Sequence, residues 1–243
     1  MSITKLVSAQ GGLNVIAGTA GSGRSTLLLL KALDQAKLGR KVVFYWNGDC
    51  ESLVCLLHRI VAINSDGPEM LNEIEDALSN NIRFIPNKNI HSAEMLVHII
   101  ARLDVDEIYF DNEVLTPSMK DSISILNSCG LMTNKSIWTD FQLHRTNTID
   151  PSFITKIPHF VLNNTRNVYR IGSPDSERIW LTDIRSYEKF DVPIWRRQKL
   201  SKDIDGKVEF REVDGRRVVV VDIGNTPQET AMNNIRAWGF MND

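Results

Sequence analysis

One stretch near the amino terminus combines three glycines, a cation and several hydroxyl side chains. It reads Gly18-Thr19-Ala20-Gly21-Ser22-Gly23-Arg24-Ser25-Thr26. The spacing matches the phosphate-binding pattern Gly-x4-Gly-Lys-Ser, except that Arg24 stands where the pattern has lysine. Such a loop points several backbone N–H groups at one place, at the positive end of a helix dipole, where a triphosphate can bind. The alternative is a glycine-rich turn between a strand and a helix that binds nothing.

A nucleotide bound there needs a carboxylate for its magnesium ion, and Asp111 is the candidate. It follows the apolar run Ile108-Tyr109-Phe110, which is typical of an acid at the end of a buried strand. Together with the hydroxyl of Ser25, Asp111 would hold Mg²⁺ beside the phosphates of ATP. The competing interpretation is an ordinary aspartate that ends a strand.

Three further side chains are candidates for work at the γ-phosphate. Asp49 and Glu51 follow the second predicted strand, and either carboxylate could polarise the attacking water. Each is equally compatible with a helix cap or a solvated charge. Gln142 ends the strand that comes after Asp111, where it could hydrogen-bond the γ-phosphate or simply be a polar residue at a strand end.

Strands and helices alternate along the first part of the chain. Apolar runs predict strands over residues 13–17, 41–46, 82–85, 107–110 and 135–140. Helical periodicity predicts helices over residues 26–37, 53–61, 69–78, 92–103 and 117–128, the last of them ended by Gly130. This alternation predicts an α/β fold with a mostly parallel sheet and helices on both faces.

The pattern changes after residue 157. Strands are predicted over residues 159–162, 168–171 and 178–184, and the turns Asp205-Gly206 and Asp214-Gly215 predict a β-hairpin. The capping box Thr226-Pro227-Gln228-Glu229 begins a last helix, which Gly239 ends. We therefore expect antiparallel edge strands and a C-terminal hairpin plus helix, with a core over residues 1–206 and an appendage over residues 207–243.

Net charge and cysteine content indicate which partners and which cellular compartment the sequence favours. The net charge of -2 gives the 243-residue chain no general attraction to nucleic acid or anionic membranes. Its three cysteines are too few and too scattered for a disulfide framework, which fits a reducing compartment. No segment reads as a signal peptide, and no apolar run approaches the roughly 18 residues of a membrane span. We expect a cytoplasmic protein that does not contact membranes.

The order of the glycine-rich loop, Asp111 and the segment Gln142-Leu143-His144-Arg145 resembles the RecA-like ATPase core. In pattern it is most similar to the motor domain of DnaB-type replicative helicases, over about residues 10 to 210. The resemblance implies a P-loop NTPase fold, ATP and Mg²⁺ as ligands, a ring or filament of identical subunits, and Gln142 as the γ-phosphate sensor. It also implies that Arg185, in Leu181-Thr182-Asp183-Ile184-Arg185, is an arginine finger that reaches the nucleotide of a neighbouring subunit.

Three departures from the family pattern predict weak or lost hydrolysis. Arg24 replaces the loop lysine, Asp183 replaces a family cation, and the catalytic glutamate has no clean equivalent at Asp49 or Glu51. A guanidinium is larger than an ammonium and planar, so the replacement is not conservative in a closely fitted loop. Losing one preorganised charge donor typically costs about 10²–10³ in turnover. We expect binding to survive because the backbone cradle and Ser25 remain.

Support for nucleic-acid binding is thin in the residues themselves. Two loops would face the channel of a ring. Residues 112–118 carry no cation, and residues 146–156 have only Arg145 and Lys156 at their ends. A denser basic cluster spans residues 195–202, with Arg216 and Arg217 further on. Trp195 could stack on a base there, although a solvated hairpin with an anchoring tryptophan is the favoured interpretation.

Two functions stay open. The chain is either an ATP-binding RecA/DnaB-like protein that acts on single-stranded DNA within a replication or recombination complex, with low ATPase activity, or a catalytically inactive structural or regulatory subunit that binds a protein partner. An engineered lysine-to-arginine replacement in an active enzyme is a third interpretation. Nucleotide binding and hydrolysis, measured with and without DNA, distinguish them.

Overall fold

The computed structural model describes residues 6, 11–46, 53, 56, 57, 60, 68–86, 93–111, 119–143, 157–171, 178–185, 189–193, 206–213 and 216–223. Its main element is an eight-stranded sheet. In chain order the strands are β1 (Gly12–Thr19), β2 (Val42–Trp46), β3 (Ile82–Pro86), β4 (Glu107–Phe110), β5 (Ser136–Leu143), β6 (Asn167–Ile171), β7 (Arg178–Asp183) and β8 (Lys189–Pro193).

Across the sheet the strand order is β3-β2-β4-β5-β1-β6-β7-β8. Neighbours from β3 to β6 pair in parallel. The pairs β6–β7 and β7–β8 are antiparallel. The predicted mostly parallel sheet with antiparallel edge strands is therefore confirmed.

Helices cover both faces of the sheet. They are α1 (Arg24–Lys37), α2 (Pro68–Asn80), α3 (Ala93–Arg102), α4 (Met119–Thr133) and α5 (His159–Asn163). Leucines of α1 pack with Ile74 of α2 and with Ile16 and Trp138 of the sheet in one core. The opposite core joins α3, α4 and α5 to Val15 and Ile137. Neighbouring residues of one strand thus enter different cores, as the alternation of side chains along a strand requires.

Several predicted elements are observed close to their expected bounds. Helix α1 ends at Lys37, shortly before Gly39, whose φ of +79° is readily adopted by glycine. Leu53, Leu56, Leu57 and Ile60 are helical and buried, as the periodicity over residues 53–61 predicts. Strand β5 continues past Asp140 to Leu143 because it stays paired with β1 as far as Thr19.

The prediction that Gly130 ends its helix is wrong. Helix α4 continues through this glycine to Thr133. A Cβ added at Gly130 would lie 2.7 Å from the backbone nitrogen of Gly12. The glycine therefore permits close contact between α4 and the start of β1, and it does not act as a terminator.

The prediction of a strand over residues 159–162 is also wrong, since these residues belong to α5. Four apolar or aromatic residues are too few to define a period by themselves. Only Val161 of the run is fully buried, and the carbonyl groups of Phe160 and Val161 accept hydrogen bonds from Asn164 Nδ2 at 2.8 Å and Thr165 Oγ1 at 2.7 Å. The side chains of Asn164 and Thr165 thus satisfy carbonyl groups at the end of a helix. A pattern of four residues does not reveal such bonds.

A separate two-stranded sheet consists of β9 (Gly206–Val213) and β10 (Arg216–Ile223). The strands pair antiparallel with Val213 opposite Arg216, so the predicted C-terminal hairpin is present. Gly206 lies within β9 and not in a turn. The division at residue 206 stays a prediction. No helix among the described residues is long and apolar enough to cross a membrane.

Several predictions concern residues outside the described ranges. They include the candidate bases Asp49 and Glu51, and Arg145 of the sensor segment. The two channel loops, the basic residues 195–202, the turn Asp214-Gly215 and the helix predicted after Thr226 also lie outside them.

Candidate functional site

The carboxyl ends of three adjacent parallel strands bring Gly18, Asp111 and Gln142 to one edge of the sheet. Strand β5 lies between β4 and β1. Gly18 pairs with Gln142, and Asp140 precedes Gln142 by two residues on the same strand. Asp111 directly follows β4, on the other side of β5. The carboxyl edge of a parallel sheet is where α/β proteins bind ligands.

Residues 18–26, here called the 18–26 loop, leave β1 and enter α1 in a conformation that requires glycine. Gly21 and Gly23 have φ of +72° and +93°, in the left-handed region. A Cβ at Gly18 would lie 2.5 Å from Ser22 Oγ. Since Gly23 is the N-cap of α1, the cap has no side-chain oxygen that would compete with an anion for the first N–H groups of the helix.

Asp111 is a buried carboxylate with an unused oxygen. The residue is 2% exposed, and its backbone N–H donates to the carbonyl of Tyr45 at 2.9 Å. Ser25 donates a side-chain hydrogen bond to the carboxylate. Within the described part of the chain, Asp111 Oδ1 has no hydrogen-bond partner.

The surroundings of Asp111 favour its protonated form until a cation arrives. Burial, and then the charge of Asp140, raise the pKa of Asp111 to about 7, against the opposing effects of Ser25 and Arg24. A carboxylate that is desolvated and incompletely bonded fits a divalent cation. Ser25 and Asp111, predicted as metal ligands, are thus adjacent. Among the described residues, no three His, Cys, Asp or Glu side chains cluster as a metal site.

Arg24 is bonded to strand β5. It is 8% exposed, and its Nη1 lies 2.6 Å from Oδ2 of Asp140, while Nη2 donates to Gln142 Oε1 at 3.1 Å. The Nη1–Oδ2 contact is close enough for an ion pair, but its N–H and acceptor are not aligned as a hydrogen bond. The attraction between the two charges is therefore mainly Coulombic. The predicted loop cation and the predicted sensor glutamine contact each other.

Asp140 is the site residue that sequence reasoning missed. The strand predicted over residues 135–140 includes it without a role, yet its side chain is almost fully buried beside Arg24. A signal was available, because Trp138, Asp140 and Gln142 alternate along β5 and so share one face. A carboxylate on a buried strand face needs a cationic or hydrogen-bonding partner.

Arg185 lies away from the 18–26 loop of its own chain. Strand β7 runs back from the loop edge, and beyond its end the Arg185 guanidinium donates to the carbonyls of Leu162, at 2.9 Å, and Thr165. Its backbone N–H donates to Asp183 Oδ1 at 2.9 Å. The side chain therefore bonds carbonyl groups at the end of α5. A role at the nucleotide of a second subunit stays a prediction.

Comparison with solved structures identifies the fold of the chain, whereas comparison of sequences finds no match. The sequence matches no protein-family model and no curated protein. A solved structure described as an ATPase domain superposes with a TM-score of 0.54 at 12% identity, over 79% of this chain and 83% of that one. The RadB recombinase superposes with a TM-score of 0.52 at 13% identity, over 78% of this chain and 90% of that one. The chain has a RecA-like α/β fold.

Proposed function

We propose that this chain binds ATP and Mg²⁺ at the 18–26 loop and acts on DNA in replication or recombination, with weak or absent hydrolysis. One observation carries the proposal. The hydroxyl of Ser25 is bonded to Asp111, whose second oxygen is buried and unpartnered among the described residues, beside a loop in which Gly21 and Gly23 have left-handed backbone conformations. The RecA-like fold supports the same conclusion, since this site lies at the edge where parallel sheets bind ligands.

Each residue of the site has a stated role in the proposal. Backbone N–H groups of the 18–26 loop and of the first turn of α1 bind the phosphates. Ser25 and Asp111 hold Mg²⁺, which neutralises phosphate charge when bound. Ser22 Oγ is buried without a hydrogen-bond partner among the described residues, so it is available to a phosphate oxygen. Asp49 or Glu51 orients water, Gln142 senses the γ-phosphate, and Arg185 acts in a neighbouring subunit.

The bonds that Arg24 and Gln142 make support the proposal of weak hydrolysis. Both groups are expected to stabilise charge on the γ-phosphate, but they are bonded to each other, and Arg24 is also paired with Asp140. A donor that must first break an ion pair is not preorganised for the transition state. Arg185 would likewise have to leave the carbonyls of Leu162 and Thr165 to act in trans.

Single-stranded DNA, further copies of the chain and proteins of a replication or recombination complex are the proposed partners, in the cytoplasm. The two similar structures are described as an ATPase domain and a recombinase, and at 12% and 13% identity they show the fold alone. The competing proposal is a catalytically inactive structural or regulatory subunit. The internal neutralisation of Arg24 by Asp140 favours it.

Titration with a fluorescent ATP analogue, in excess Mg²⁺ or in EDTA, tests the nucleotide site. We expect the wild-type protein to bind more tightly with Mg²⁺, and Asp111→Asn to lose about tenfold or more of that gain. Asp104→Asn is the matched control, because Asp104 is an exposed partner of Lys41 near the opposite end of β4. Absence of binding by the wild-type protein contradicts the proposal.

Hydrolysis is measured in parallel, with and without single-stranded DNA. Slow turnover that DNA accelerates supports a role on DNA. Binding without turnover, unchanged by DNA, favours the inactive subunit instead.

A further inference from the structure

The pair formed by Arg24 and Asp140 gives the site an unusual charge balance. In the lysine-containing pattern, the cation after the last glycine is available to phosphate oxygens. Here both terminal nitrogens of Arg24 face β5, one towards Asp140 at 2.6 Å and the other towards Gln142 at 3.1 Å. Asp111 adds a second carboxyl group to the same buried space. Among the described residues at this edge, one cation, Arg24, therefore faces two acidic groups before any phosphate binds.

We propose that Asp140 competes with nucleotide phosphates for the guanidinium of Arg24, and that this competition lowers the affinity of the 18–26 loop for nucleotide. This inference rests on the proposed nucleotide site. Asp140 acts through Arg24 and is a positioning residue that sets affinity. Without its carboxylate, the Arg24 guanidinium becomes available to the phosphates.

The geometry of the pair favours such competition. The contact between Arg24 Nη1 and Asp140 Oδ2 is short but poorly aligned, so it lacks the directional component of a good hydrogen bond. A triphosphate carries more negative charge than one carboxylate and offers several acceptor oxygens at fork-like spacing. Gln142 Oε1 still accepts a hydrogen bond from Arg24 when Asp140 is neutral. The guanidinium thus keeps one partner in the neutral variant.

The competing explanation is that Asp140 only satisfies a buried arginine. In that case its removal leaves an unpaired buried charge and either does not change nucleotide affinity or weakens it. A further alternative is general repulsion, in which Asp140 repels phosphates whether or not Arg24 is present. The two explanations and the proposal differ in how the effects of Arg24 and Asp140 combine.

A double-mutant cycle on the full chain separates them. Dissociation constants for a fluorescent ATP analogue are measured for wild type, Asp140→Asn, Arg24→Gln and the double variant, in EDTA and in excess Mg²⁺. We expect Asp140→Asn to bind about tenfold more tightly, a gain typical of one added charge-assisted hydrogen bond. We expect Arg24→Gln to cost about threefold in the wild-type background and about tenfold or more in the Asp140→Asn background. Asp104→Asn again serves as the control.

The outcomes are distinct. A gain from Asp140→Asn that is equally large without Arg24 indicates general repulsion and overturns the proposal. Unchanged or weaker binding by Asp140→Asn, with a wild-type protein that binds, overturns it and leaves the nucleotide site standing. Absence of binding by every variant overturns both. If Arg24→Gln alone weakens binding tenfold or more in the wild-type background, that result also contradicts the proposal. Asp140→Ser replaces Asp140→Asn as the neutral variant if Asp140→Asn does not fold.

Discussion

Strand β4 has an acidic residue at each end, and the two carboxyl groups differ in how the protein satisfies them. Glu107, its first residue, is fully buried with Oε1 2.9 Å from Arg40 Nη1 and Oε2 2.5 Å from the Tyr109 hydroxyl. Asp111, directly after its last residue, is also buried, yet Oδ1 has no partner among the described residues. The two positions lie on the same face of the strand, since they are four residues apart.

The end of β4 with Glu107 has the properties of a structural network. Burial raises the pKa of Tyr109 well above its ordinary value, and the nearby Glu107 raises it further, so the hydroxyl stays a donor. Burial lowers the pKa of Lys31, which Glu107 opposes, and Lys31 Nζ lies 5.8 Å from the centre of the Trp138 ring. Each oxygen of the carboxylate is bonded within the protein. Nothing in this arrangement requires a ligand.

The Asp111 end has the opposite character, and the difference indicates where a ligand fits. Buried polar atoms in native proteins are nearly always bonded, so an unpartnered carboxylate oxygen needs an explanation. A divalent cation held by Asp111 and Ser25 supplies one. Burial alone therefore does not distinguish a structural carboxylate from a functional one, whereas the completeness of its hydrogen bonds does.

The largest expected effect is at the satisfied end. Glu107→Gln removes the negative charge between Arg40, Tyr109 and buried Lys31 and should lower the free energy of unfolding by about 3 kcal/mol. Urea denaturation followed by circular dichroism measures this. Asp104→Asn, an exposed partner of Lys41, is the control and should have little effect. If Glu107→Gln is as stable as the wild type, the network does not support the fold.

The next effect is a gain in stability at the other end. Asp111→Asn removes a poorly satisfied carboxylate, so in EDTA near pH 8 the variant should be more stable, on the order of 2 kcal/mol. Its pH dependence has a defined sign. Because the pKa of Asp111 is raised to about 7 in the folded protein, its contribution to stability is fully present below about pH 4 and is lost as the pH rises through 7.

The difference between Asp111→Asn and wild type should therefore grow from about pH 4 to 7 and level off above it. Chemical denaturation at a series of pH values tests this. A difference that is constant with pH, or a variant less stable than wild type at pH 8, would show that Asp111 is satisfied in the folded protein. Opposite signs for Asp111→Asn and Glu107→Gln are the direct test of the comparison.

Much of the fold was accessible from the sequence because apolar period and length are local properties. The runs that became β1, β2 and β4 are buried on both faces, so their near-continuous apolar character predicts parallel strands. The strand predicted over residues 159–162 was wrong because the environment of this tetrapeptide, and not its period, determines its structure. The prediction that Gly130 ends its helix was wrong for a similar reason, since this glycine permits close contact with Gly12 in another element.

The candidate site was accessible only in part. The glycines of the 18–26 loop and the acid after β4 form patterns in the sequence, and the structure brings Ser25 and Asp111 together. The bond from Arg24 to Gln142 joins residues 118 positions apart, so no local pattern reports it. Asp140 acquires its importance from the same long-range register, in which β5 pairs with β1. The direction in which the arginine side chain points is a property of packing.

The smallest expected effect concerns the hydroxyl of Tyr109. Tyr109→Phe removes one hydrogen bond to Glu107 Oε2 and keeps the stacked ring contacts with Phe44 and Trp138, so it should cost about 1 kcal/mol of unfolding free energy. The same denaturation experiment measures it. The double variant Tyr109→Phe with Glu107→Gln should lose less unfolding free energy than the sum of the two single variants, because both substitutions affect the same Tyr109–Glu107 hydrogen bond. Additive costs would mean that the hydroxyl and the carboxylate stabilise the protein independently, and the network would then reduce to the Arg40–Glu107 pair.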